Sequence, residues 1–233
     1  MTSGSRSPVA TLGTATALAT VVVALVAAAL GGTTPARSGP YCGNGCVVYP
    51  YTDVAAFSPR DYWWMYPQSV LVVLALVLVI CVHQATRVVF SAIAAGFAVG
   101  ATTVLLTDYV VQLTVLQPSL ERGETAGLSL LSQYNPHGVF IALENVGYLL
   151  LGAALLTIAA AFTGPARLEL GLRWVLMVGG GLTVAALPLF AVAYGADLEA
   201  RYEVAAIGLT WLTLIVGGIL LARWFRRPPA LGA

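Results

Sequence analysis

The sequence predicts an all-α protein, a polytopic bundle of about six transmembrane helices, and three observations carry that prediction. Apolar residues make up 59% of the 233 and charged residues 9%, against about 25% charged in a soluble domain, and the mean hydropathy is +0.87. Six runs approach or exceed the roughly 20 apolar residues needed to cross a hydrocarbon core about 30 Å thick; they fall at about 9–31, 66–85, 88–116, 137–162, 172–195 and 204–224. Nothing reads as the alternating strands of a membrane barrel, and backbone amides in lipid must be satisfied within their own segment, which leaves helices. The chain, 1–233, reads as one transmembrane domain.

The first run, Val9 to Leu30, carries no charge. The small residues of Thr34-Pro35-Ala36 and the basic Arg6 allow a cleaved signal peptide, but a signal core is only about 7–15 residues long, so a retained span is the expectation.

A loop at 32–65 follows, expected outside the cytoplasm. It contains Cys42-Gly43-Asn44-Gly45-Cys46, two cysteines four apart with glycines that let the chain turn back, which in an oxidising compartment points to a small structural disulfide. The rival reading is a redox or metal pair, which lacks a neighbouring histidine and the C-x-x-C spacing. Pro59-Arg60-Asp61-Tyr62-Trp63-Trp64-Met65-Tyr66-Pro67 leads into the second run. Tyr and Trp favour the headgroup layer and Pro suits a first helical turn, so this is an interfacial anchor; alternatively it is an aromatic lid, with Arg60 available to an anionic ligand.

In the second run Cys81 reads as a small packing residue. The third and fourth hold Asp108 and Glu144, the only carboxylates within these boundaries, and a charge there costs ~2.5–3.5 kcal/mol on insertion scales. Measured from a third helix ending before Pro118 and a fourth opening at Asn135-Pro136, they lie roughly 15 and 12 Å below one surface. Gln112 follows Asp108 by four residues and Tyr148 follows Glu144 by four, so each carboxylate has a polar neighbour on its own helix face. His137 stands two turns above Glu144. If the faces meet, Asp108, Gln112, Glu144, Tyr148 and His137 line an outward-opening cleft in which two carboxylates resist joint ionisation, unless Arg60, Arg122 or Arg201 joins them. Helix-to-helix hydrogen bonds that only fix packing explain the same residues. Gly179-Gly180-Gly181 and Pro188 make the fifth run bendable, and Gly96 with Gly100 form a small-xxx-small pair; close packing suffices for both.

Arginine loops tend to stay cytoplasmic. With the N-terminus inside, Arg6, Arg87, Arg167, Arg173, Arg223, Arg226 and Arg227 are cytoplasmic, and Arg37, Arg60, Arg122 and Arg201 lie outside. All basic residues are Arg, and the Arg, Ala, Gly and Leu bias fits a GC-rich bacterial genome, hence a bacterial plasma membrane with both termini cytoplasmic.

Eleven basic and ten acidic residues nearly cancel, leaving no electrostatic footprint for nucleic acid. Two histidines at opposite ends of their spans imply no metal or haem site. No nucleophile elbow, P-loop or dinucleotide fingerprint is present, and no cofactor is implied.

The strings Pro50-Tyr51-Thr52-Asp53, Pro59-Arg60-Asp61-Tyr62, Trp64-Met65-Tyr66-Pro67, Gln117-Pro118-Ser119-Leu120 and Gln133-Tyr134-Asn135-Pro136-His137-Gly138, with Glu144 and Gly147-Tyr148, resemble a family of bacterial six-span integral membrane proteins of uncharacterised activity. The resemblance covers roughly 50–150 and implies a fold and a membrane location, with no chemistry.

The leading expectation is therefore a membrane protein that binds a small molecule or lipid in the cleft around Asp108 and Glu144, with a transporter component as one form of it. A scaffold or sensor subunit, engaging a protein partner or a second copy through the loop, is the alternative. An intramembrane enzyme using the carboxylates as acid and base ranks last, for want of a nucleophile.

Overall fold

The computed structural model describes residues 7–53 and 58–227, with the side chain of Glu199 excluded; Arg6 lies outside the described residues. It is all-helical there, and six helices are long and apolar enough to cross a membrane.

Helix α1 spans Pro8–Thr33. Ser7 opens it by accepting from the Ala10 amide at 3.2 Å, and Pro8 occupies the first helical position, where a missing N–H costs nothing. After the loop, α2 runs over Met65–Thr86 and stops at Arg87, whose φ of 54° breaks the helix. The reversal into α3, Val89–Val111, is tied by His83 Nδ1 and Ser91 Oγ at 2.9 Å.

The third span does not end before Pro118. A π turn at Gln112–Leu116 leads into a short helix α4, Gln117–Glu121, with Pro118 in its first turn. Proline has no N–H to give the ladder, and a widened turn, in which the Gln117 amide reaches back to Gln112 O, carries the helix across that gap. Nor do Asn135 and Pro136 open the fourth span. They form a turn in which Asn135 Oδ1 accepts from the His137 amide at 3.0 Å, and α5 begins afterwards, at Val139–Ile158, with Gly138 as its cap. Glu144 is thus only about 8 Å below the start of its helix, at 1.5 Å per residue.

Helix α6 spans Arg167–Tyr194, Pro188 included, and α7 spans Glu199–Phe225. Five residues earlier than the sequence boundary, that start brings Glu203 into the helix.

Packing closes a ring. Each of α1, α2, α3, α5, α6 and α7 lies against its neighbours in that order, α7 returns to α1, and α5 also meets α7. The close approach of α5 to α6 depends on Gly180, where a Cβ would stand 2.5 Å from both Gly152 O and Leu156 N. No such role falls to Gly96, which has nothing within 4 Å of a Cβ position, while Gly100 meets Leu150 at 3.4 Å. One end of the ring carries the two ends of the described chain, Ser7 and Arg227, the Arg87 turn and the Glu169–Arg227 pair at 3.3 Å. The long connections gather at the other, loop-rich end. The half nearer the chain ends is filled by apolar side chains such as Leu78, Val82, Leu155, Ile158, Leu176 and Leu221.

At the loop-rich end, Cys42 and Cys46 lie at disulfide bonding distance, closing a small exposed turn. Arg37 donates to Asp61 Oδ2 at 3.0 Å, and the Asp61 side chain is fully buried. The same oxygen accepts from the Ser58 amide at 3.0 Å. Burial and the neighbouring Asp61 charge push the Tyr134 phenol well above its ordinary range.

Candidate functional site

Between the C-terminal end of α1 and the N-terminal ends of α5 and α7 lies a pocket of about 270 Å³. Trp64, Phe140, Ile141, Ile207 and Trp211 give it aromatic and aliphatic walls, and Glu203 is the carboxylate residue in its lining. Its size lies near the lower end of the ~300–1,000 Å³ typical of small-ligand sites. Arg37 stands on the same wall, but its charge is engaged by Asp61.

Behind the wall runs a chain of hydrogen bonds through four helices. Trp211 Nε1 donates to Gln68 Oε1 at 2.8 Å, and Gln68 Nε2 donates to the Tyr148 hydroxyl at 2.8 Å. Tyr148 and Tyr109 hydroxyls are 2.8 Å apart, and Tyr109 donates to Glu144 Oε1 at 2.7 Å. The direction is fixed. Indole nitrogen can only donate, so the Gln68 amide must present its oxygen to Trp211; Tyr109 spends its single proton on Glu144, so Tyr148 is the donor between the tyrosines. Four donors therefore point one way, from Trp211 to Glu144.

Glu144 itself is completely buried, and among the described residues no N–H or hydroxyl donor reaches its Oε2. Beside it, within hydrogen-bonding reach, lies the carboxyl of Glu203. Asp108, with 2% of its surface exposed, completes a group of three carboxyls from α3, α5 and α7, and its Oδ2 also lacks a donor. Both ends of the chain thus reach the pocket, Trp211 directly and Glu144 through Glu203.

Of the residues singled out from sequence, Glu144 and Tyr148 belong to this network and Asp108 adjoins it. The other three stand elsewhere. Gln112 donates to Leu131 O and pins the loop after α4; His137 is exposed on that loop; Arg60 donates to Thr33 O at 2.9 Å, stapling the second span to the end of the first. Arg122 and Arg201 bond to carbonyls of their own segments, those of Pro118 and Asp197, so neither neutralises the carboxyls. The aromatic stretch before α2 divides: Trp63 and Tyr66 are exposed, whereas Trp64 is buried and packs edge-on to Tyr109 at 5.6 Å.

Sequence reasoning missed Gln68, Tyr109, Trp211 and Glu203. Glu203 was cut off because a charge marks a hydropathy boundary. Gln68 and Trp211 offered a signal, since a polar amide and an indole within apolar runs need partners as much as a carboxylate does. Comparison of the chain with protein-family models, with curated proteins and with solved structures finds no match in any of the three.

Proposed function

We propose that this chain is an integral membrane protein that binds a small molecule or a single lipid in the pocket at its loop-rich end. The observation that carries the reading is the pocket itself, apolar and aromatic with one carboxylate residue, Glu203, in its lining, backed by a hydrogen-bond chain that fixes Trp211. A rigid aromatic wall with one polar anchor is how small-ligand sites obtain both affinity and orientation. The packed apolar half nearer the chain ends supports binding from one side, and it weighs against a continuous polar path across the bundle. The arginine distribution and the resemblance of the loop strings support a bacterial plasma membrane with the loop-rich end outside.

Native mass spectrometry of the full chain, released from detergent, tests this reading. A bound species should accompany the wild-type protein and be lost from Val204→Trp and Ile207→Trp, both of which fill the pocket. Absence of any adduct from wild type, across extraction in several mild detergents, contradicts it.

A further inference from the structure

We infer that the occupant of this pocket is an organic cation, an amine or quaternary ammonium carried on an apolar body. The inference rests on the binding reading above and names its ligand class. Three carboxyls, Asp108, Glu144 and Glu203, converge from three helices. Among the described residues no arginine bonds to any of them, and the one cationic side chain on the pocket wall, Arg37, is held by Asp61 at 3.0 Å. Such a group in a low-dielectric setting either holds protons or is joined by a positive charge.

One buried oxygen of the group points the same way. Asp108 Oδ2 has no hydrogen-bond donor among the described residues, although Asp108 is nearly fully buried. Buried carboxyl oxygens are ordinarily satisfied, and an ammonium seated against Glu203 brings to the cluster the positive charge it lacks. The rest of the pocket suits the same guest. Trp64, Trp211, Tyr134 and Phe140 present aromatic rings, whose faces attract a cation, Trp most strongly. An anionic lipid headgroup would instead meet Glu203 with only the engaged Arg37 to offset it.

Isothermal titration of the purified full chain in a neutral maltoside micelle tests the inference, with phenylbutylammonium and phenylbutanol as a charged and neutral pair of the same length. The cation should bind, the alcohol about tenfold or more weaker. Glu203→Gln should weaken the cation about tenfold or more, Glu203→Asp should retain part of the affinity, and Val204→Trp should block it. Equal affinity for the two probes, or a cation affinity unchanged in Glu203→Gln, overturns the ligand class and leaves the pocket reading standing. No binding of the cation also overturns it, while the native mass spectrum judges the pocket reading separately. Should Glu203→Gln fail to fold, the Glu203→Asp and Val204→Trp titrations decide on their own.

Discussion

Trp211 and Gln68 stand 143 residues apart, yet the indole N–H donates to the amide oxygen at 2.8 Å, joining the last helix of the ring to its second. This bond fixes which way the Gln68 amide points, because an indole cannot accept, and the tyrosine end is fixed by the Tyr109 proton given to Glu144. The wall of the pocket and the buried Glu144 are thereby parts of one polar assembly.

Tyr109→Phe removes the donor to Glu144 and strands Tyr148. Loss of stability of about 1–3 kcal/mol is expected, read by denaturation in mixed micelles. Trp211→Phe should cost about 1 kcal/mol. In the double variant the losses should fall short of additive by ~0.5 kcal/mol or more, as members of one network do. Strict additivity would mean that the bonds act separately.

Gly180→Ala places a methyl 2.5 Å from backbone atoms of α5, which cannot rotate away. The expected cost is ~1–3 kcal/mol or more, seen as a lowered Tm in detergent. Gly96→Ala, with open space at its Cβ, should leave Tm unchanged or slightly raised.

Removing Arg37 leaves Asp61 buried without its counter-charge. Arg37→Ala should destabilise the loop-rich end by about 3 kcal/mol, because an unpaired buried charge costs more than the pair contributed. The double variant Arg37→Ala/Asp61→Asn should recover part of that loss. Protease sensitivity of the 34–64 connection and global Tm together report it.

The sidedness of the bundle is measurable through its cysteines. After mild reduction of intact cells, a membrane-impermeant maleimide should label Cys42 and Cys46, which lie in an exposed turn, and leave Cys81 untouched, since it is buried in the core. Labelling that appears only after lysis would reverse the orientation.

The six helical spans were legible in the sequence because hydrocarbon thickness fixes span length, and six long apolar runs leave few alternatives; their closure into a ring was not. Boundaries fared worse where chemistry and hydropathy disagree. Pro118 reads as a stop but is absorbed by a π turn, and Asn135-Pro136 reads as a helix opening but makes a turn of its own. Glu144 with Tyr148 could be paired by spacing, since four residues share a helix face. Spacing along one helix says nothing about which face a neighbouring helix presents. The partnership of Glu144 with Tyr109 and Glu203, and of Gln68 with Trp211, is set by how α2, α3, α5 and α7 rotate against one another, which only tertiary packing decides.

Occupancy of the pocket is tested most directly by photolabelling the full chain in lipid nanodiscs with a diazirine-bearing alkylammonium, followed by peptide mapping. The expected adducts fall on Ile207 and Trp211, which face the pocket, and disappear in Val204→Trp. Adducts confined to the outer surface, at residues such as Leu189 and Val192, with none on Ile207 or Trp211, would contradict a ligand site between α1, α5 and α7.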